Sequence, residues 1–268
     1  MTQTATPAQT TPAVLAQRDE RGVLTLTMNR PSSFNALSEE LLEALQTELD
    51  KAAKDAGLRV VVLAANGKAF CPGHDLKQMV SNPELTYYQK LFAQCSRMML
   101  SIRKLSVPVI AKVQGMATAA GCQLVAQCDL AVSVDTARFA TSGIHYGLFC
   151  ATPAVPLSRN MGTKQAMEML LTGDFISAPE ALARGLVNRV VPMAELDAAV
   201  ESLVKSIVQK PQTAVAMGKA MFYQQSEIGI EAAYQLAGQT MACNMMDPAA
   251  QEGFLAFTEK REPSWKSA

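Results

Sequence analysis

The chain has few side chains that can transfer a proton near neutral pH, and their spacing limits the possible chemistry. Its 268 residues include two histidines, His74 and His145, and six cysteines. No G-x-S-x-G segment presents a nucleophilic serine, and neither a C-x-x-C pair nor closely spaced histidines provide metal ligands. Glycine-rich phosphate loops of the Walker and dinucleotide types are missing as well. The sequence therefore argues against serine hydrolases, nucleotide hydrolysis, classical dinucleotide oxidoreduction and metal-dependent chemistry.

Two segments at which a buried strand leads into a helix could bind negative charge through the main chain. They are Gly73-His74 and Ala119-Ala120-Gly121. Small residues let a ligand approach the backbone, and the N–H groups at a helix start have no acceptor within the helix. Such N–H groups attract anions. When either segment is considered alone, ordinary close packing of a helix start is the favoured explanation.

Hydrophobic patterns place both segments in an α/β fold. Alternating or continuous apolar runs predict strands over 14–19, 23–28, 59–65, 108–114, 129–134, 138–141 and 187–191. Helices are predicted from Ser38 to about Gly57, from about Leu76, over 86–105, from 117, and from Pro153 to about Lys260. Alternation of strands and helices, followed by helices alone, indicates an α/β fold with a helical appendage.

Composition suggests a disordered tail and a compartment. Residues 1–12 are polar and are predicted to be that tail. The tail has no apolar or Arg-rich amphipathic face, and scattered cysteines are typical of a reducing compartment, so we expect a cytoplasmic protein. Balanced charge, 24 basic against 24 acidic side chains, argues against nucleic-acid partners. The apolar stretches are shorter than the ~20 residues that span a membrane.

Motifs from Arg18 to Trp265 occur in the order and spacing of one family. They are Asn29-Arg30-Pro31, Asn35-Ala36-Leu37, residues 67–76, Pro108-Val109-Ile110-Ala111, residues 120–124, Cys128-Asp129 and residues 257–261. Through them the chain resembles the crotonase, or enoyl-CoA hydratase/isomerase, superfamily. The resemblance implies a crotonase-like spiral of ββα units over 13–195 and a C-terminal helical region over 196–268. It also implies a homotrimer or a dimer of trimers, and an acyl-CoA thioester as ligand without a metal or further cofactor.

The resemblance assigns a role to the two strand–helix segments. In this family two main-chain N–H groups hold the thioester oxygen as it gains enolate charge, and the matching residues are His74 and Ala120. One fixed donor to a developing oxyanion contributes roughly 3–4 kcal/mol. The implied CoA-binding residues are Lys68, Cys71, Gly73, Asp75, Leu76, Lys77 and Lys260. The three lysines suit the CoA phosphates, although each could simply be solvated, and Asp75 could instead cap a helix.

The catalytic carboxylates of the family are absent from the sequence. Hydratases of this family use two glutamates, and the matching positions here are Gln123 and Gly143. A glutamine amide takes no proton near neutral pH, and glycine has no side chain. One positioned acid or base contributes about 10²–10⁴-fold, so hydration by the usual route is expected to be very slow. The double substitution Gln123→Glu with Gly143→Glu is expected to raise the rate of hydration.

Three functions remain open at this point. The chain could be an enzyme acting on acyl- or enoyl-CoA, including as an isomerase or hydrolase, with acid–base groups other than glutamate. It could be a non-catalytic acyl-CoA-binding or regulatory protein, or a structural subunit of a mixed oligomer. The neutral imidazole of His74 could serve as a base, whereas His145 is expected to have a surface or subunit-contact role. Thr141 and Ser142 could hydrogen-bond a water beside Gly143. Cys71 and Cys150 are expected to be packing residues, although either thiolate could accept the acyl group.

Overall fold

A computed structural model describes residues 11–266, so most of the predicted tail, residues 1–10, lies outside the described residues. The strands are β1 (Val14–Arg18), β2 (Val23–Met28), β3 (Val60–Ala65), β4 (Ala69–Cys71), β5 (Val109–Val113), β6 (Met116–Thr118), β7 (Leu130–Val134), β8 (Arg138–Ala140), β9 (Ile176–Ser177) and β10 (Arg189–Val191). The helices are α1 (Glu39–Ala52), α2 (Leu76–Ser81), α3 (Leu85–Lys104), α4 (Ala120–Gln127), α5 (Ala151–Asn160), α6 (Thr163–Thr172), α7 (Ala178–Ala183), α8 (Leu196–Val208), α9 (Gln212–Gln225), α10 (Ile230–Met245) and α11 (Pro248–Thr258).

The strands form two sheets that share a repeating order along the chain. The larger sheet has the order β1-β2-β3-β5-β7-β10 and is parallel except for the β1–β2 pair. The smaller sheet has the order β4-β6-β8-β9 and is parallel except for β8–β9. Successive strand pairs β3–β4, β5–β6 and β7–β8 each give one strand to each sheet before a helix follows. The predicted α/β fold with ββα units is therefore confirmed.

The strands of the smaller sheet were not all predicted. Strand β4 lies within a predicted glycine-rich loop, β6 occupies residues predicted to start a helix, and β9 lies within a predicted helical region. Each is only two or three residues long, which is too short to show a period of two. Helix α5 also begins at Ala151, before the predicted start at Pro153. Proline is tolerated there because the first turn of a helix needs no N–H acceptor.

Helix α1 shows how local sequence sets an element that was predicted correctly. The Ser38 hydroxyl accepts from the Leu41 N–H at 3.2 Å, which caps the helix. Leu41, Leu45 and Leu49 share one buried face, and α1 packs against α3. No helix among residues 11–266 has both the length and the hydropathy that crossing a lipid bilayer demands.

A buried ion pair holds the C-terminal helices to the core. On α9, the Lys219 ammonium donates to the Asp129 carboxylate at 2.7 Å and to the carbonyls of Ile102 and Val107. Asp129 also accepts from the Tyr223 hydroxyl and from the Val109 N–H, both at 2.7 Å. The Lys219 and Asp129 side chains are only 6% and 13% exposed. Each charge is therefore compensated by hydrogen bonds, which a buried pair requires.

Candidate functional site

In the first strand–helix segment, the His74 N–H points away from the Leu37 main chain that lies beside it. The Leu37 N–H donates to the Gly73 carbonyl at 2.8 Å, and the Asp75 N–H donates to the Leu37 carbonyl at 3.3 Å. The Gly73 carbonyl and the His74 N–H belong to one trans peptide group, in which the C=O and N–H bonds point in opposite directions. Because the carbonyl faces Leu37, the His74 N–H points away from Leu37. Gly73 has a φ of +105°, a conformation that favours glycine.

The second segment lies directly against the first. Ala120 is the first residue of α4, where the N–H has no acceptor within the helix. A Cβ atom placed on Gly73 would lie 3.2 Å from the Ala120 nitrogen, and the Thr118 hydroxyl donates to the Pro72 carbonyl at 2.8 Å. A Cβ on Gly121 would lie 2.0 Å from the Cys71 carbonyl oxygen. Glycine at both places lets the two main chains approach closely.

Ala119 joins β6 to α4 in a strained conformation. Its φ of +48° and ψ of −122° fall in a region that residues with a side chain rarely adopt. The surrounding bonds hold it there, because the Ala119 N–H donates to the Ala140 carbonyl at 2.9 Å and its own carbonyl accepts from Gln123. Strained residues of this kind cluster at active and ligand-binding sites, where the surrounding structure holds them in place.

A mostly apolar cavity of about 510 Å³ opens at these two segments. His74, Asp75, Leu76, Lys77, Ala120 and Gly143, all predicted site residues, line it. The lining also includes Phe34, Met79, Phe92, Tyr146, Leu148 and Phe149. These six residues were missed because they come from four separate segments that share no local pattern.

The other predicted residues do not line this cavity. Lys68 is exposed before β4, and Lys260 follows α11. Cys71 is buried, and burial raises the pKa of its thiol to about 12, so it stays protonated.

Asp75 lines the cavity and also caps α2, accepting from the N–H groups of Lys77 and Gln78. The capping interpretation of Asp75 is therefore confirmed.

The two positions of the missing glutamates have different surroundings. Gln123 lies one turn after Ala120, is buried, and does not line the cavity; its side-chain oxygen has no hydrogen-bond partner among residues 11–266. Gly143 lines the cavity in a short 3₁₀ helix, Ser142–Tyr146. A Cβ on Gly143 would lie 2.7 Å from the Leu148 carbonyl oxygen and 2.8 Å from the Cys150 sulfur. A side chain at 143 therefore needs the neighbouring main chain to move.

His74 is half-buried and lines the cavity, and both of its ring nitrogens are shielded from solvent. Its ring contacts Phe92 edge-on, with 5.4 Å between the ring centroids. Neither ring nitrogen has a hydrogen-bond partner in the described part of the chain. Burial lowers the pKa of His74 to about 4, opposed by the nearby main chain of Leu37, which does not reach hydrogen-bond geometry with the ring. The imidazole is neutral at pH 7.

The remaining polar candidates are placed differently. Thr141 is buried and donates its hydroxyl hydrogen to the Met169 carbonyl at 2.6 Å, so it is already engaged. Ser142 and Cys150 line the cavity. His145 is exposed and lies against Gly173. Cys150 is therefore the thiol that shares the cavity with His74.

Comparison with known proteins shows the family of the chain. The family model described as "Enoyl-CoA hydratase/isomerase" matches residues 18–268. The chain belongs to this family. Mouse "Enoyl-CoA hydratase domain-containing protein 3, mitochondrial" is 42% identical over 258 residues, which cover 96% of this chain and 86% of the relative. The resemblance to the enoyl-CoA hydratase/isomerase family that the sequence motifs indicated is therefore confirmed.

Solved structures give the same result for the fold. A structure described as enoyl-CoA hydratase of Mycobacterium smegmatis has a TM-score of 0.94 and 61% identity, covering 96% of this chain and all of that one. Human enoyl Coenzyme A hydratase domain-containing protein 3 has a TM-score of 0.90 and 42% identity, covering 94% of this chain and all of that one. The crotonase-like fold is therefore shown.

The expected cytoplasmic location is wrong on this comparison. The mouse, rat, Xenopus and human relatives at 42% identity are all named mitochondrial. The expectation came from the composition of the first residues and from scattered cysteines. Mitochondrial proteins also contain free thiols. The composition of a folded domain does not determine its compartment, because targeting depends on separate segments of the chain.

Proposed function

We propose that the chain binds acyl-CoA thioesters, with the thioester oxygen between the N–H groups of His74 and Ala120. The observation that carries the proposal is the meeting of two strand–helix segments at one cavity, each with an N–H directed away from its own secondary structure. The cavity wall suits an apolar acyl group, because Phe34, Met79 and Leu148 line it. No other cofactor is proposed.

A pair of matched ligands tests the role of the two N–H groups. Butanoyl-CoA and S-butyl-CoA differ only at the carbonyl, so their dissociation constants from calorimetry isolate that oxygen. A hydrogen bond contributes about 0.5–1.5 kcal/mol, and two such bonds predict roughly tenfold or greater weakening for S-butyl-CoA. If the two ligands bound equally, the N–H groups of His74 and Ala120 would not bind the thioester oxygen. If neither ligand bound, the proposed function would be wrong.

Lys77 is proposed to contact the CoA phosphates. It lines the cavity, whereas Lys68 does not. We expect Lys77→Ala to weaken butanoyl-CoA binding and to reduce its dependence on salt, since an ammonium attracts phosphate chiefly as a point charge. Lys68→Ala is the matched control and is expected to bind as the parent does. If Lys68→Ala weakened butanoyl-CoA binding more than Lys77→Ala did, the CoA phosphates would not lie at Lys77.

We propose further that hydration of enoyl-CoA is nearly absent. Gln123 cannot take a proton and does not line the cavity, and Gly143 has no side chain. Loss of the enoyl absorbance of crotonyl-CoA measures the reaction directly. Very slow turnover is expected in a preparation that binds butanoyl-CoA, and turnover of a few per second or more would contradict the proposal.

A homotrimer or a dimer of trimers is proposed as the assembly. Helices α9, α10 and α11 have few buried residues, and Phe222, Tyr234, Phe254 and Phe257 on them are mostly exposed. Large exposed apolar surfaces mark association sites. Light scattering after size-exclusion chromatography tests the state, and a monomer at micromolar concentration would contradict it.

A further inference from the structure

A thiol occupies the space beside Gly143 where a side chain would begin. The Cys150 sulfur would lie 2.8 Å from a Cβ atom at that position. Cys150 lines the cavity and is the N-cap residue of α5, a helix of ten residues. The first N–H groups of a helix are unpaired and favour negative charge nearby. The position that the family gives to a carboxylate is thus adjacent to a sulfur atom here.

A second, independent feature lies at the same cavity, because His74 is also one of its lining residues. The His74 ring nitrogens are shielded from solvent and have no hydrogen-bond partner among residues 11–266. A buried polar group without a partner is rare and calls for a ligand or a reacting group. Because the imidazole is neutral, one of its nitrogens carries a free lone pair that can accept a proton. The cavity therefore contains both a sulfur nucleophile and a proton acceptor.

Among the cysteines of the described chain, Cys150 is set apart by its position. Cys150 is buried like Cys71, Cys95, Cys122 and Cys128, but those four do not line the cavity. Cys243 is exposed on α10. Burial raises the pKa of Cys150 too, but the Gly143 main chain opposes the shift. Cys150 is therefore a protonated thiol at neutral pH that brings its own proton to a reaction.

We propose that Cys150 is a modification site for α,β-unsaturated acyl-CoA thioesters, whose β-carbon its sulfur attacks. This inference rests on the proposed binding of acyl-CoA. The S–H bond breaks as a sulfur–carbon bond forms at the β-carbon, and the π electrons move to the thioester oxygen between the two N–H groups. His74 accepts the thiol proton and returns it to the α-carbon. The thioester bond stays intact, and no oxidant or reductant is consumed.

Mass spectrometry of the intact protein tests the proposal. The parent for this experiment carries Cys243→Ser, which removes the exposed thiol. After incubation with crotonyl-CoA and an acid quench, one adduct with the mass of the whole crotonyl-CoA molecule is expected, and peptide mapping should place it on Cys150. Butanoyl-CoA, which lacks the double bond, should give none. Cys150→Ser and Cys150→Ala should each lose the adduct.

Every outcome bears on the proposal. Butanoyl-CoA binding is measured on the same preparations. Binding without an adduct overturns the proposal and leaves the proposed function in place, whereas absence of binding overturns both. An adduct on another cysteine, or one that persists in both folded Cys150 variants, also overturns it. Addition of only the crotonyl group shows acyl transfer with breakage of the thioester, which contradicts addition at the β-carbon.

Discussion

Substituting alanine for Gly143 should destabilise the protein through two contacts that can be measured in the structure. The new Cβ would lie 2.7 Å from the Leu148 carbonyl oxygen and 2.8 Å from the Cys150 sulfur, both closer than real Cβ contacts. Overpacking of this kind costs typically about 1–3 kcal/mol. Replacing glycine also restricts the unfolded chain, which returns about 0.4–1 kcal/mol. The expected net loss in the free energy of unfolding is therefore about 1–2 kcal/mol.

Urea unfolding at equilibrium measures this loss, and the chain offers a matched control. Gly218 lies in α9, and a Cβ there would meet nothing within 4 Å, so Gly218→Ala should stabilise slightly. Adding Cys150→Ala to Gly143→Ala should recover only part of the loss, because the Leu148 carbonyl remains in place. If Gly143→Ala matched Gly218→Ala in stability, the close packing around 143 would be refuted.

The same contacts change an expectation drawn from the sequence. Restoring both glutamates was expected to raise hydration, but a glutamate at 143 meets the Leu148 main chain, and position 123 does not line the cavity. We now expect Gln123→Glu with Gly143→Glu to be less stable and to hydrate crotonyl-CoA no faster. A clear gain in turnover by the folded double variant would contradict this reasoning.

Three further predictions concern stability. Lys219→Met should lower the free energy of unfolding by about 3–5 kcal/mol in denaturant titrations, because it leaves the Asp129 carboxylate buried without its cation. Ala119→Gly should raise it by about 1 kcal/mol or more by relieving the strained φ, and an unchanged midpoint would argue against strain. The pKa of His74 falls from 6.5 to about 4 on folding, so the unfolded state binds more protons between these values. The contribution of His74 to the free energy of unfolding should therefore be fully present above pH 6.5, and up to about 3 kcal/mol of it should be lost towards pH 4. This part of the pH dependence should vanish in His74→Asn but persist in His145→Asn.

Features that depend on neighbouring residues in the chain could be predicted from the sequence. The cap at Ser38, the cap at Asp75 and the buried face of α1 follow from residue type and spacing, and all three are present. The order of strands and helices likewise follows from apolar periodicity, which is why the α/β fold was predictable.

Features that depend on tertiary packing could not be predicted. Strands β4 and β6 are extended because they pair with each other across the smaller sheet, not because of their own residues. The placement of the Cys150 sulfur against Gly143 requires the turn at 147–149 to fold back, which no local pattern encodes. Gln123 is three residues from Ala120, a spacing that puts both on one helix face, yet only Ala120 lines the cavity.

The pairing of Asp129 with Lys219 also has a consequence for synthesis of the chain. The two residues are separated by 90 positions, so the carboxylate leaves the ribosome well before its cation is made. At ~5–20 residues per second the interval is about 5–18 s. During that time the nascent core contains a carboxylate that lacks its counter-ion, and its strands cannot reach full stability. Full stability of these strands therefore requires that synthesis has passed α9.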